Sequence, residues 1–230
     1  MKNSKVIVIS DLHAPYHDEE ALSAVLKYIK KTKPTLTILN GDIFDAYSIS
    51  SFLRDPKRRI LLPEIDTTIK ILKRIRKSTK GEIVFLGGNH CDRLQRFITK
   101  MAPELDGILS IPTLLKLKEL DITYYDPGYR YEYRDIIVTH GDKVRCKSGY
   151  TAHAMMDSIG KSVIIGHTHR LGIVYKRQYQ TTLFGVEGGC LCKIDNVDYI
   201  PGGRPDWCHG FVEVIDGIPY IKRIVNGVIY

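Results

Sequence analysis

Five short apolar runs in this sequence each end in residues that can bind a metal ion or transfer a proton. The runs and their endings are residues 6–10 before Asp11-Leu12-His13, 36–40 before Gly41-Asp42-Ile43-Phe44-Asp45, 83–87 before Gly88-Asn89-His90, 136–139 before His140-Gly141, and 163–165 before Gly166-His167-Thr168-His169. Apolar runs of this length that stop at a turn are typical of buried β-strands. Because sites in open α/β sheets form at the carboxyl ends of strands, we expect the five endings to converge on one place.

The first half of the sequence alternates between strand-like and helix-like segments. Its predicted strands cover residues 5–9, 35–39 and 82–86, and its predicted helices cover 19–31, 63–78, 92–100 and 111–120. In the first of these helices, Leu22, Val25, Leu26 and Ile29 recur at the spacing of one buried face. This alternation predicts a layered α/β fold.

The second half is richer in predicted strands. They cover residues 122–125, 129–133, 135–139, 162–165, 172–179, 181–187, 210–215 and 218–225, with one helix at 149–159. Asp216-Gly217 is a typical hairpin turn between the last two strands. No linker or internal repeat divides the sequence, so we predict one domain that covers residues 1–230.

The charge balance favours an anionic partner. The 230 residues carry a net charge of +8, which suits nucleic acid, nucleotides or phosphorylated molecules. Much of the basic charge lies at 27–33, 54–59 and 70–80, where a solvated helix face is the simpler explanation and a nucleic-acid-binding stripe is the alternative. The chain contains no apolar run long enough for a signal sequence or membrane span, and its odd number of cysteines (five) predicts a reducing, cytoplasmic setting.

The residue types at the strand ends indicate a particular kind of metal site. Imidazole and carboxylate together suit Mn, Fe, Ni, Co or Zn better than Mg or Ca. There are enough of these residues for two ions, and a carboxylate such as Asp42 can bridge ions that lie about 3.5–4 Å apart. Asn89 adds a neutral oxygen ligand, which avoids a further negative charge beside an anionic substrate.

Taken in order, these endings resemble the motif series of the calcineurin-like metallophosphoesterase superfamily. Its blocks are Asp-x-His, Gly-Asp-x-x-Asp, Gly-Asn-His-(Asp/Glu), a later His and Gly-His-x-His, and here they span residues 11–169. The compact bacterial and bacteriophage members resemble this chain most. The resemblance implies a four-layer α/β/β/α sandwich of two mixed β-sheets flanked by helices, in the cytoplasm of a bacterium or of a phage-infected host cell.

The resemblance also implies roles for individual residues. It assigns Asp11, His13, Asp42 and His169 to one metal ion, and Asp42, Asn89, His140 and His167 to the other. His90 corresponds to the catalytic histidine, Asp45 to a residue that orients it, and Arg93 is either a phosphate contact or a surface arginine. The chain departs from the family pattern at Cys91, where Asp or Glu is usual.

The expected reaction is hydrolysis of a phosphate ester by in-line attack of a metal-bound hydroxide, with two metal ions (Mn²⁺ first) and His90 as general acid. A phosphodiesterase or nuclease acting on nucleic acid or nucleotides is the first hypothesis, and a phosphomonoesterase is the second. A non-catalytic interaction scaffold of the same fold is a remote third. The sequence leaves the oligomeric state open, and it allows a zinc site at Cys190, Cys192, Cys208 and His209, although their spacing is unusual for one.

Overall fold

The computed structural model describes residues 4–51, 60–194 and 206–230. In these ranges the helices are α1 (Glu19–Thr32), α2 (Leu61–Ser78), α3 (Asp92–Met101), α4 (Ile111–Leu114) and α5 (Tyr150–Ile159). The strands are β1 (Lys5–Ile9), β2 (Leu36–Asn40), β3 (Glu82–Leu86), β4 (Thr123–Tyr125), β5 (Tyr131–Tyr133), β6 (Ile136–Thr139), β7 (Ser162–Ile165), β8 (Leu171–Gln178), β9 (Thr181–Gly188), β10 (Gly210–Ile215), β11 (Ile218–Val225) and β12 (Val228–Ile229). The basic stretch at 54–59 lies outside the described residues. Within them, every helix is too short or too polar to cross a membrane.

The strands form two mixed sheets. One has seven strands in the order β12-β11-β10-β1-β2-β3-β4, and the other has five in the order β5-β6-β7-β9-β8. The strands β1 to β4 run parallel to one another, as do β6, β7 and β9, while the remaining pairs are antiparallel. Each sheet therefore has one edge at which the carboxyl ends of its parallel strands lie side by side.

The alternating directions of the side chains along β1 show why the seven-stranded sheet lies between two layers. Val6 and Val8 pack with apolar residues of both sheets, while Ile7 and Ile9 point to the opposite face and pack with α1 and α2. Successive side chains of a strand point to opposite faces, so a strand that is apolar at every position is buried on both.

Helix α5 covers the outer face of the five-stranded sheet. Its residues Ala152 and Met156 pack against Ile137, Val163 and Ile165. The order is therefore helices, seven-stranded sheet, five-stranded sheet and helix. This arrangement confirms the four-layer α/β/β/α sandwich.

Most predicted boundaries lie within two residues of the observed ones, and the clear exception is the helix predicted at 111–120. The structure has only the short α4 there, followed by a 3₁₀ turn at Lys118–Leu120. Lys116, between them, has a φ of 54°, and a left-handed residue cannot continue an α-helix. The prediction also missed β12, which follows a tight turn at Asn226-Gly227 with φ values of 47° and 70°.

Candidate metal centre

The five strand endings meet where the carboxyl edges of the two sheets adjoin. Two hydrogen bonds join these edges. The Nδ2 amide of Asn40, the last residue of β2, donates to the carbonyl oxygen of Thr139, the last residue of β6, over 3.1 Å. The Nδ1 of His140 donates to the carbonyl oxygen of Asn40 over 2.9 Å. Ligand-type residues from both sheets are thereby brought together.

The first group of potential ligands contains Asp11, His13 and His169, whose nearest ligand atoms all lie within 4.8 Å of one another. The Nε2 of His169 lies 3.2 Å from Oδ1 of Asp11 and 3.1 Å from Nε2 of His13. All three side chains are buried. The segment after β1 supplies Asp11 and His13, and the turn after β7 supplies His169.

The second group contains Asp42, His140 and His167, again with ligand atoms within 4.8 Å. The Nε2 of His140 lies 3.1 Å from Oδ2 of Asp42 and 3.2 Å from Oδ1 of Asn89. The same Oδ2 of Asp42 lies 4.0 Å from Nε2 of His13, in the first group. Oδ1 of Asp11 similarly lies 4.0 Å from Nε2 of His140. Among the described residues, however, Asp42 is the carboxylate that belongs to two groups of potential ligands, one with His140 and His167 and one with His13 and His90.

Backbone geometry at this junction is unusual. Five of the seven residues predicted as ligands have left-handed φ values between 47° and 66°: Asp11, His13, Asp42, His167 and His169. Non-glycine residues adopt this conformation rarely and at some cost in energy, and such residues concentrate at functional sites. Close packing adds a second constraint, because a Cβ on Gly88 would come within 2.1 Å of Oδ1 of Asp42.

Hydrogen bonds that Nδ1 donates fix the orientation of three imidazoles. The Nδ1 of His13 donates to the carboxylate of Asp45 at 2.9 Å, and that of His140 donates to a backbone carbonyl, as described above. The Nδ1 of His169 lies 3.7 Å from the sulfur of Cys192. When Nδ1 carries the proton, the lone pair of Nε2 is free to bind a metal ion.

These residues fit a metal ion. The two Nε2 atoms of His13 and His169 lie only 3.1 Å apart, and two facing lone pairs repel unless a cation or a proton lies between them. Hard oxygen and borderline nitrogen donors together suit divalent transition ions.

The electrostatics of the cluster also favour positive charge. Burial by itself would lower the pKa of His140 and of His169, but the neighbouring carboxylates of Asp42 and Asp11 raise both pKa values to about 9. In turn, although burial would raise the pKa values of Asp11 and Asp42, the surrounding histidines hold them well below the usual range. Burial and the nearby His140 lower the pKa of His167 instead.

Asp45, His90 and Arg93 form a connected group beside the two ligand sets. The sequence predicted that Asp45 orients His90. The structure shows that the backbone carbonyl of Asp45 accepts from Nδ1 of His90 at 2.9 Å, while its carboxylate mainly supports His13. Arg93 donates to the Asp45 carbonyl and to Nε2 of His90, each at 2.9 Å. Since a guanidinium can only donate, His90 is neutral in this arrangement.

The cysteines differ in burial and in their neighbours. Cys91, where the family usually has an acid, is buried, and burial raises the pKa of its thiol to about 12. Cys190 and Cys192 lie behind His169, and ligand atoms of these three residues lie within 4.8 Å of one another. Cys208 and His209 belong to no group of potential ligands in the described part of the chain.

Sequence reasoning missed two residues that contact His169. Cys192 is one, and donation from the Cys190 thiol holds the pKa of Cys192 well below its ordinary value, so that its sulfur is a good acceptor. Trp207 is the other, with its ring centroid 4.1 Å from that of His169. The Cys-x-Cys spacing was visible in the sequence, but its proximity to His169 depends on the fold.

Metal binding should strengthen as the pH rises. Because the raised pKa values keep His140 and His169 protonated at neutral pH, metal binding must displace protons, and affinity falls as pH decreases below about 9. Titration calorimetry with Mn²⁺ between pH 7 and about 9, in buffers of different ionisation enthalpy, should show rising affinity and proton release. An affinity independent of pH would contradict the competition between protons and metal.

Removing the sulfur behind His169 should weaken metal binding. We expect Cys192→Ala to lower Mn²⁺ affinity by about 10–100-fold, since the partners of ligating histidines commonly contribute this much. Cys192→Ser, which keeps an acceptor, should recover part of the loss. Cys208→Ala is the control, because it removes a half-buried thiol that belongs to no group of potential ligands in the described part of the chain. Equal losses in Cys208→Ala and Cys192→Ala would contradict a specific contribution of the sulfur behind His169.

Comparisons with known proteins agree with this geometry. The family model for calcineurin-like phosphoesterases matches residues 4–203. The gene 54 protein of Mycobacterium phage L5 is 31% identical over an alignment that covers 98% of this chain and 95% of that protein. Its counterpart in Mycobacterium phage D29 is 30% identical, with the same coverage. The structure of vacuolar protein sorting 29 from Cryptosporidium parvum shares the fold, with a TM-score of 0.50 and 14% identity over 99% of this chain and 95% of that one. The chain belongs to the calcineurin-like phosphoesterase family and is a metal-dependent phosphoric ester hydrolase.

Proposed function

We propose that this protein is a phosphodiesterase with a centre for two divalent metal ions. Asp11, His13, Asp42 and His169 would hold one ion, and Asp42, Asn89, His140 and His167 would hold the other. The observation that carries the proposal is the position of Oδ2 of Asp42, 4.0 Å from Nε2 of His13 and 3.1 Å from Nε2 of His140. A single carboxylate oxygen within reach of both groups suits a bridging ligand.

Manganese is our first choice of metal, with Fe, Ni, Co and Zn as the alternatives, because the donor set mixes imidazole with carboxylate and amide oxygen. When bound, such ions neutralise charge on phosphoryl oxygens and lower the pKa of water.

His90 and Arg93, which lie beside the proposed ligands, would bind the phosphate and protonate the leaving oxygen. The Nδ1 of His90 is held by the Asp45 carbonyl, so its Nε2 faces the centre, 3.8 Å from Oδ2 of Asp42. Arg93 now donates to that Nε2, but a phosphate group would compete for its guanidinium. Once Arg93 binds the phosphate, Nε2 of His90 is free to carry the proton that the leaving oxygen takes up.

A diester is the favoured substrate for two reasons. The net charge of +8 attracts polyanions, and the side of the centre formed by Asn89, His90 and His167 is at least partly open to solvent. A diester, which continues on both sides of the scissile phosphate, needs such an open approach. We further propose that the chain acts as one domain in the cytoplasm of a phage-infected bacterium, since its curated relatives are phage proteins and its five cysteines are free.

A substrate panel tests this proposal. With Mn²⁺, the protein should hydrolyse bis(p-nitrophenyl) phosphate faster than p-nitrophenyl phosphate, and a chelator should abolish both activities. Turnover of the monoester alone would favour a phosphomonoesterase. Absence of both metal binding and turnover would favour a non-catalytic scaffold.

Replacing His90 should separate metal binding from catalysis. We expect His90→Ala to keep its metal content and to lose about 10²–10⁴-fold in kcat on a dinucleotide, whose alkoxide leaving group needs a proton. The loss should be smaller on a p-nitrophenyl diester, because nitrophenolate leaves without protonation. Asp42→Asn is the contrasting variant and should lose metal as well as activity. Equal losses on both substrates would remove His90 from the role of general acid.

A further inference from the structure

The open side of the centre has a basic border. Most of the potential ligands are buried, but Asn89 is exposed and His90 and His167 are half-buried, so a substrate can approach from their side. The segment 141–148, here called the basic loop, begins directly after His140. All of its residues after Gly141 are exposed.

Contacts of its backbone and of the Ser148 hydroxyl hold the basic loop next to the centre. The carbonyl oxygen of Arg145 accepts from the guanidinium of Arg170, which follows His169. The backbone N–H of Arg145 donates to Oγ1 of Thr151 over 3.0 Å, and Oγ of Ser148 donates to the carbonyl of Leu171 over 3.3 Å. The loop therefore begins next to His140 and is hydrogen-bonded to Arg170, the residue that follows His169.

The side chains of the basic loop are available to a ligand. Lys143, Arg145 and Lys147 are exposed. Within the described residues, none of their charged groups has a carboxylate within 4.0 Å. The nearby Arg170, by contrast, forms an ion pair with Asp206 at 2.7 Å. Asp142 is the one acidic residue of the loop.

An aromatic side chain and a groove extend this surface. The Nζ of Lys147 lies 5.8 Å from the ring centroid of Tyr150, which is 49% exposed. Arg145 and Tyr150 line a groove of about 540 Å³ together with His153. Unpaired cations beside an exposed aromatic ring are the usual elements of a surface that binds a nucleic-acid strand.

We propose that the basic loop binds the phosphates of a polynucleotide that flank the scissile one, and that Tyr150 stacks on a base. This inference rests on the proposed diesterase function and narrows its substrate from diesters in general to a nucleic-acid chain. Lys143, Arg145 and Lys147 each neutralise a phosphate that a small diester lacks. The loop therefore contributes to binding of a polymer and leaves the chemistry at the centre unchanged.

The test compares two variants with the same loss of charge. Lys143→Gln/Arg145→Gln/Lys147→Gln removes three positive charges from the loop. Lys27→Gln/Lys30→Gln/Lys31→Gln removes three exposed positive charges from the second half of α1. This part of the helix precedes the start of β2, so it lies at the end of the sheet opposite the candidate metal centre. Anisotropy with fluorescent DNA and RNA oligonucleotides measures binding against salt, with Mn²⁺ present and with His90→Ala added to every protein compared so that cleavage is slow. Kinetics with Mn²⁺ then compare an oligonucleotide with bis(p-nitrophenyl) phosphate.

We expect the loop variant to bind oligonucleotides at least about tenfold more weakly, with a slope of log affinity against log salt that is shallower by about 2. Its kcat/KM should fall on the oligonucleotide and stay within about twofold of wild type on the small diester, by the same reasoning. The α1 variant should bind almost as wild type does.

Unchanged binding and salt slope in the loop variant would overturn the proposal, as would an equal loss in the α1 variant, which would point to net charge alone. If wild type turns over the small diester but binds no oligonucleotide, the basic-loop proposal fails and the diesterase function stands. Loop-dependent binding without turnover of any diester would instead support the loop and contradict the diesterase function.

Discussion

The junction between the carboxyl edges of the two sheets is the constraint on which the site depends. Neither sheet holds all of the proposed ligands: Asp11, His13, Asp42 and Asn89 follow strands of the seven-stranded sheet, and His140, His167 and His169 follow strands of the five-stranded one. The paired hydrogen bonds between Asn40 and the Thr139–His140 segment fix the distance between the edges. A metal ion bound there would connect the sheets, so that metal affinity and folding are linked.

Burial of carboxylates at this junction has a cost in free energy that nearby positive charge offsets. Asp11 and Asp42 are almost fully buried, and a buried carboxylate requires compensation by opposite charge and hydrogen bonds. The histidines supply part of it by retaining protons, as the raised pKa of His140 shows. A divalent ion would replace those protons with a double positive charge that lies directly between the carboxylates and the imidazoles. The left-handed backbone of the ligand turns is consistent with this reasoning, because strain persists where surrounding structure fixes it.

Much of the fold could be predicted because the sequence patterns are local. Apolar runs flanked by turns located the strands, and helical spacing located α1, α2 and α3. The 111–120 segment failed because its apolar residues continue past Lys116, while its backbone turns there. The site could be predicted as a set of strand endings, since chain order alone identifies them. What supports each imidazole could not, because Asn40, Asp45 and Cys192 are distant in sequence from the histidines that they contact and meet them only in the folded chain.

The division between buried ligands and an open border explains how one centre can serve different substrates. Most of the residues proposed to hold metal are buried, and hydrogen bonds from Nδ1 fix three of the imidazoles, so the geometry of the centre does not vary with the substrate. His90 and Arg93 lie at the opening, where they contact each other and can exchange that contact for a phosphate group. The basic loop lies further out and is held through its backbone and through the hydroxyl of Ser148. Its side chains can therefore change without disturbing the centre, and substrate choice in this fold would reside in such loops.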